Sequence, residues 1–194
     1  MEAHIGQAEM NKEPSTYKAN EISLKEKFQP TSSCWGRRHS KRLSLPFTDS
    51  ERGQKRSRLN KPSKIQNIKG DGNCFFRALS AEVCGSEDSH SALRQYITSL
   101  MTDTTYEKVF SDYIGEDVKT YLERSRMATE GIWASEVEIS VAATLLQTEI
   151  CVFHDNKWYS YQPVMVLPLG FKTSNNMAIY LINHHSHFER VLAC

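Results

Sequence analysis

The stretch GDGNCFFRAL, residues 70–79, decides how the rest of the chain is interpreted. Residues 70–73 favour a turn, and the apolar run Cys74–Cys84 predicts a helix that ends at Gly85. A thiol is therefore predicted in the first turn of a helix. There the unpaired backbone N–H groups and the helix dipole favour the thiolate, so we expect the pKa of Cys74 to fall from about 8.5 towards 7 or below.

The same turn could also stabilise negative charge that develops on a substrate. The backbone N–H groups of Gly72, Asn73 and Cys74 could converge on the oxygen of a tetrahedral intermediate and form an oxyanion hole. A cysteine nucleophile needs a general base as well, and such a base often lies far away along the sequence.

Candidate bases lie more than a hundred residues further on, at His184, His185 and His187. Alternate residues of a strand share a face, so His187 and Glu189 would point the same way, and the Glu189 carboxylate could hold the imidazole in one tautomer. Phe188 would point into the core. From these residues alone, a structural cysteine in a helix and surface histidines at a strand end explain the pattern equally well.

Hydrophobic periodicity outlines the remaining fold. Four further helices are predicted, at Ser89–Met101, Tyr106–Tyr113, Asp117–Met127 and Glu136–Leu146. Four strands follow, at Glu149–His154, Lys157–Gln162, Met177–Asn183 and His187–Ala193, with a two-residue hairpin turn at Asp155 and Asn156. Because helices come first and strands mostly last, we expect an α/β or α+β fold. In it, helices pack around a small mixed or antiparallel β-sheet built mainly from the C-terminal half.

Charge divides the chain into two parts. Of the 24 Lys and Arg and the 23 Asp and Glu residues, 14 and 7 fall in the first 64 residues, which carry +7 against −6 for the remaining 130. Residues 1–64 are poor in apolar residues and lack periodicity, which predicts a disordered basic tail. Residues 65–194 are predicted to form one domain. The basic clusters could direct the protein to a nuclear import receptor, bind nucleic acid, or simply keep the protein soluble.

Other sequence features restrict the class of protein. No apolar run approaches the roughly 18 residues that span a bilayer, and residues 1–10 lack the apolar core of a secretory signal. We therefore expect an intracellular, cytoplasmic monomer without a membrane partner or a cofactor. Five cysteines without CxxC spacing predict free thiols rather than disulfides or a metal site: Cys34, Cys74, Cys84, Cys151 and Cys194.

Three segments resemble a known family. Asp71–Ala78 (DGNCFFRA) resembles the nucleophile motif of the ovarian tumour (OTU) family of cysteine proteases, and His187–Val191 resembles its C-terminal histidine motif. Gly131–Glu138, which contains Trp133, is similar to the central tryptophan segment of that family. The three segments occur in the order found in the family and span most of residues 65–194.

The resemblance implies an OTU-like fold and a thiol-dependent deubiquitinase that hydrolyses the isopeptide bond at the C-terminal glycine of ubiquitin, in polyubiquitin or on other proteins, or of a ubiquitin-like modifier. Cys74 would attack the carbonyl to form a thioester, and His187 would activate the thiol and then protonate the leaving amine. Asp71 matches the catalytic aspartate of the family, and we expect it to shape the turn through hydrogen bonds to backbone N–H groups. Many relatives have Asp or Asn where this chain has Glu189, so Asn183 is an alternative orienting residue.

Two other functions stay open beside this one. The domain could be a catalytically weak or inactive module that binds ubiquitin, which the unusual Glu189 would explain. Alternatively, the basic tail could bind nucleic acid. Trp133 could lie near the channel for the tail of the modifier, although a tryptophan just before a helix is more often a core residue.

Overall fold

The computed structural model describes residues 19–23, 26–171 and 177–194, so the predicted disorder of residues 1–18 lies outside the described residues. Its helices are α1 Ser33–Arg42, α2 Cys74–Cys84, α3 His90–Met101, α4 Glu107–Ile114, α5 Val118–Ser125 and α6 Glu136–Leu146. Its strands are β1 Asn20–Ile22, β2 Lys64–Gln66, β3 Glu149–His154, β4 Lys157–Tyr161, β5 Ala178–His184 and β6 His187–Ala193. None of the helices in these ranges has the length and apolar character needed to cross a membrane.

The strands form one sheet in the order β1-β4-β3-β5-β6-β2. Strands β3 and β5 pair in parallel, whereas the other neighbours are antiparallel. The predicted mixed α/β fold is therefore confirmed, and the predicted bounds of α2, α6, β3 and β6 hold to the residue. Asp155 and Asn156 both have positive φ, as a two-residue type I′ hairpin turn requires.

One face of the sheet carries α2 and α6, with α3 packed against both helices. The rings of Phe75 on α2 and Phe188 on β6 meet edge to face, with their centroids 5.4 Å apart. Phe188 therefore points into the core, as the alternation along β6 predicts. Since α2 lies against β6, the first residue of α2 is brought to the beginning of that strand.

The opposite face of the sheet is covered by the N-terminal segment, and the prediction of a disordered tail is wrong for residues 26–64. Phe28 and Leu59 are 0% and 1% exposed and belong to one apolar cluster with Trp158 and Tyr180. The rings of Phe28 and Tyr180 lie 4.4 Å apart between centroids. A few apolar side chains spaced far apart in a polar sequence are enough to cover this face, which a periodicity search cannot detect.

Helix α1 lies in the same segment and is also absent from the sequence-based prediction. The Ser32 hydroxyl accepts a hydrogen bond from the Trp35 backbone N–H at 3.2 Å and so caps the helix. The Trp35 ring is buried, and its Nε1 donates to Thr148 Oγ1 at 3.0 Å. His39, one turn further along, is fully buried as well. The helix is thus fixed by its buried ring residues, although most of its sequence is polar.

Buried charges join the N-terminal segment to α2 and β6. The Glu82 carboxylate on α2 accepts hydrogen bonds from Arg190 Nε at 2.6 Å and from Arg52 Nη1 at 3.3 Å. The Thr31 hydroxyl donates to the same carboxylate. Arg52, which belongs to the predicted basic tail, is therefore paired with a carboxylate inside the fold. The folded domain thus includes part of the positive charge of residues 1–64.

Candidate active site

Cys74 is the first residue of α2, as predicted, and the turn before it depends on glycine at position 72. Gly72 has a φ of +79°, which L side chains rarely adopt. A Cβ added there would lie 2.1 Å from the carbonyl oxygen of Gly131. The loop before α6 therefore packs directly on the backbone of residues 70–73, the nucleophile turn, at a distance that only glycine permits.

The thiol of Cys74 contacts the backbone on both sides of His187. Its Sγ accepts a hydrogen bond from the Phe188 N–H at 3.4 Å, and the thiol donates to the Ser186 carbonyl at 3.7 Å. The imidazole of His187 lies over Gly70, where an added Cβ would be 3.5 Å from the ring Cε1. The structure thus brings the predicted nucleophile against the backbone on both sides of the predicted base, although the two residues are more than a hundred positions apart in sequence.

Glu189 lies on the same face of β6 as His187, with 4.0 Å between its Oε1 and the imidazole Nε2. Asn183, the alternative orienting residue, pairs across β5 and β6 with Phe188 and therefore belongs to the opposite face. Its buried Oδ1 has no hydrogen-bond partner within the described ranges. The register of the sheet therefore places Glu189, rather than Asn183, beside the imidazole.

The Asp71 carboxylate is held by Arg77 and by the backbone of its own turn. It forms a forked pair with Arg77, with Nε–Oδ1 and Nη2–Oδ2 distances of 3.1 and 2.6 Å, and accepts from the Asn73 backbone N–H at 3.1 Å. The hydrogen bonds from Arg77 hold the pKa of Asp71 well below its usual range. This geometry fits the predicted role of Asp71 in shaping the turn. It also occupies the N–H of Asn73, which leaves those of Gly72 and Cys74 as candidate oxyanion donors.

The pKa of the Cys74 thiol does not follow the sequence-based expectation. Burial raises it above its ordinary value, and hydrogen bonds from the backbone N–H groups of Phe188, Phe75 and Cys74 offset only part of that increase. A position at a helix N-terminus lowers a thiol pKa when the group is partly exposed, whereas Cys74 is buried. In the free protein the neutral thiol therefore predominates at neutral pH, and a base must remove its proton.

Two arginines near the turn were missed by the sequence-based search. Arg77 lies inside the nucleophile motif, but its pairing with Asp71 depends on the turn geometry. Arg94 lies on α3 and is 1% exposed; its Nη2 donates to Asn73 Oδ1 at 2.8 Å. The spacing of Arg94 from Ile97 and Met101, at i, i+3 and i+7, places it on the buried face of the helix, which is the signal that could have identified it.

Trp133 is 51% exposed, so its interpretation as a core residue is wrong. Its segment is held against the nucleophile turn, because the Gly131 N–H donates to Asn73 Oδ1 at 2.8 Å. The Ile132 carbonyl accepts from Arg94 at 2.8 Å. The Trp133 side chain therefore belongs to a segment that forms one side of the site.

The five cysteines are free thiols, and only Cys74 lies at this site. Across the described ranges, no three His, Cys, Asp or Glu side chains are grouped as a metal centre would require.

The site has a thiol at the N-terminus of a core helix and a histidine on the adjoining strand, which is an arrangement typical of cysteine hydrolases. Residues 69–191, more than half of the chain, match the family described as OTU-like cysteine protease. The chain belongs to this family, which confirms the resemblance found in the three sequence motifs.

Several curated proteins are similar to this chain. The Arabidopsis thaliana protein OVARIAN TUMOR DOMAIN-containing deubiquitinating enzyme 7 is 32% identical over 99 residues, which make up 50% of this chain and 26% of that protein. OTU domain-containing protein 5-A of Danio rerio is 36% identical over 130 residues, or 66% of this chain and 21% of that protein. The chain thus spans only about a quarter or less of the length of these relatives.

Solved structures show the same fold. The OTU domain of OTUD1 superimposes with a TM-score of 0.51 at 25% identity, over 66% of this chain and 83% of that one. An OTU domain solved in complex with ubiquitin gives a TM-score of 0.50 at 15% identity, over 66% of this chain and 67% of that one. These likenesses support the assignment of the OTU fold.

Proposed function

We propose that the protein is a deubiquitinase that hydrolyses isopeptide bonds at the C-terminal glycine of ubiquitin. The observation that carries the proposal is the contact of the Cys74 thiol with the backbone on both sides of His187. The name of the Arabidopsis relative and the OTU domain solved in complex with ubiquitin support ubiquitin as the modifier. A ubiquitin-like modifier with the same kind of C-terminus would undergo the same chemistry.

In the proposed reaction, His187 takes the proton of Cys74 while Sγ forms a bond to the carbonyl carbon of the terminal glycine. The backbone N–H groups of Gly72 and Cys74 receive the developing oxyanion. When the tetrahedral intermediate collapses, the C–N bond breaks and the imidazolium protonates the lysine amine that leaves. Water then attacks the thioester with His187 as base, which releases the carboxylate of ubiquitin and restores the thiol.

Covalent labelling tests this proposal. Ubiquitin that carries a thiol-reactive electrophile at its C-terminus is expected to form one adduct with the protein, detected as a single increase in mass. Cys74→Ala should abolish the adduct and His187→Ala should slow its formation, whereas Cys34→Ala, which removes an exposed thiol, should leave it unchanged. The absence of an adduct with correctly folded protein would contradict the proposal.

A second candidate function is ubiquitin binding without turnover. It is favoured by the 4.0 Å between Glu189 and the imidazole, which exceeds hydrogen-bond distance, and by the raised pKa of the thiol. This function predicts measurable affinity for ubiquitin together with polyubiquitin chains that stay intact after long incubation. Cleavage of the chains by the wild type, but not by Cys74→Ala, would exclude it.

We also propose an intracellular location. Two partly or fully exposed cysteines, Cys34 and Cys194, remain as thiols, which suits a reducing compartment. Fractionation of cells that express a tagged full chain tests this, and recovery of the protein only from the medium would contradict it.

A further inference from the structure

Arg94 is a buried cation without a carboxylate in ion-pair contact among the described residues. Its Nη1 donates to the Met127 carbonyl at 2.9 Å, and its Nη2 donates to Asn73 Oδ1 and to the Ile132 carbonyl, each at 2.8 Å. Its guanidinium carbon lies 3.9 Å from the centroid of the Phe76 ring. The charge is therefore held by neutral oxygens and an aromatic face, next to the residue that precedes the nucleophile.

Burying the Arg94 guanidinium in this way is unfavourable for the free energy of folding. Removing a guanidinium from water costs several kcal/mol, and neutral acceptors recover less of that cost than a carboxylate does. The buried guanidiniums at the other end of α2 differ in this respect, because Arg52 and Arg190 both pair with Glu82. A buried charge beside the candidate nucleophile, with no carboxylate in direct contact among the described residues, therefore suggests that the charge itself has a function there.

We propose that Arg94 is a positioning residue that fixes the nucleophile turn through Asn73 and whose positive charge favours the thiolate of Cys74. This inference rests on the proposed role of Cys74 as nucleophile. The Asn73 Oδ1 accepts from both Arg94 and the Gly131 N–H, so one amide oxygen joins α3, the nucleophile turn and the loop before α6. Removing Arg94 would therefore loosen both the nucleophile turn and the loop before α6.

The proposed effect of Arg94 on the Cys74 thiolate is electrostatic. Burial lowers the pKa of Arg94, while negative charge at Glu138, Glu130, Asp71 and Cys74 opposes that change. An electrostatic attraction is mutual, so the guanidinium should favour the thiolate, whereas burial and the charge of Asp71 both raise the pKa of Cys74. Among the other titratable groups, Arg77 pairs with Asp71 and interacts with Glu130, and Glu189 lies 4.0 Å from the imidazole of His187.

The test titrates the thiol directly. The ultraviolet absorbance of the thiolate is followed against pH in each variant, and the signal of the same variant carrying Cys74→Ala is subtracted. In Arg94→Gln, which keeps an amide donor but loses the charge, the thiol midpoint should rise by about one pH unit. Arg94→Lys keeps the charge and should leave the midpoint within about 0.3 units of the wild type.

A matched control separates charge from stability. Arg52→Met also removes a buried guanidinium that donates to α2, but at the other end of the helix. It should lower the unfolding midpoint and leave the thiol midpoint unchanged. Asn73→Ala should also leave the thiol midpoint unchanged, while slowing the reaction with electrophile-bearing ubiquitin at least tenfold, because the turn loses its link to Arg94 and Gly131.

The outcomes are decisive in either direction. An unchanged midpoint in folded Arg94→Gln overturns the electrostatic role, and an unchanged labelling rate in Asn73→Ala overturns the positioning role. If Arg94→Gln does not fold, a full-unit rise in Arg94→Lys overturns the electrostatic role instead. The titration needs no ubiquitin, so a shifted midpoint without ubiquitin labelling would contradict the proposed function and not this inference.

Discussion

The backbone N–H of Phe188 donates a hydrogen bond to the Sγ of Cys74 at 3.4 Å, and this contact joins the nucleophile to the strand of its base. The bond belongs to the backbone, so it places β6 at the thiol whatever side chain follows His187. The Phe75 and Phe188 rings, packed edge to face, reinforce the same contact one residue further into the core.

Gly72→Ala should abolish activity. The added methyl would lie 2.1 Å from the Gly131 carbonyl oxygen, so the turn and the loop must separate. We expect ubiquitin cleavage to fall at least about a hundredfold, since small displacements of a nucleophile have effects of that size. Gly115→Ala is the matched control, because Gly115 also has positive φ but no atom lies within 4 Å of an added Cβ. Equal activity of the two variants would contradict the role of this close approach.

Glu189→Ala should reduce kcat for ubiquitin cleavage by about tenfold and leave KM unchanged, because we propose that this carboxylate, 4.0 Å from the imidazole, orients the ring. Asn183→Ala, on the other face of the sheet, should have a smaller effect. Steady-state kinetics of both variants shows which residue orients the imidazole. A larger loss of kcat in Asn183→Ala than in Glu189→Ala would assign that role to Asn183.

Acidification should destabilise the protein through His39. Burial lowers the pKa of its imidazole from 6.5 to about 3, and its ring lies 4.5 Å from Trp35 and 5.3 Å from Phe171 between centroids. Below pH 6.5 the unfolded chain therefore binds a proton that the native state excludes, so this residue costs about 2 kcal/mol of stability between pH 7 and 5. Urea unfolding of His39→Phe should show a loss smaller by that amount. Exposed His154→Gln serves as the control and should follow the wild type.

The buried Glu82 should be far more important for stability than an exposed carboxylate. Glu82→Gln leaves Arg190 and Arg52 without their shared countercharge and should cost about 3–5 kcal/mol of unfolding free energy. Glu51→Gln, in an exposed pair with Lys64, should cost about 1 kcal/mol or less. Chemical denaturation measures both, and similar losses in the two variants would contradict the importance of the buried network.

Leu59→Ala tests whether the N-terminal segment is part of the domain. Leu59 is 1% exposed, so its truncation should cost about 2–5 kcal/mol, whereas its exposed neighbour Arg58→Ala should change stability by about 0.5 kcal/mol or less. The unfolding midpoints of the two variants provide the comparison. A Leu59→Ala midpoint equal to that of Arg58→Ala would mean that the segment does not contribute to the fold.

The sequence predicted the elements whose apolar residues recur regularly, namely α2 to α6 and β3 to β6. It also predicted the position of Cys74 at the start of a helix and of His187 and Glu189 on one face of a strand, since turn residues and strand alternation are local properties. Three features depend on contacts that no local pattern records. The cover of the second sheet face by Phe28 and Leu59 is one, the raised pKa of Cys74 is another, and the burial of Arg94 against Asn73 is the third.

The pairing of β2 with β6 and the packing of Phe28 on Tyr180 have a consequence for the synthesis of the protein. The ribosome releases the nucleophile turn and the N-terminal cover long before β5 and β6, on which both depend. Such long-range contacts form late and slowly. During translation, Cys74 therefore remains without His187 until β6 has emerged from the ribosome, so the candidate active site cannot form before then.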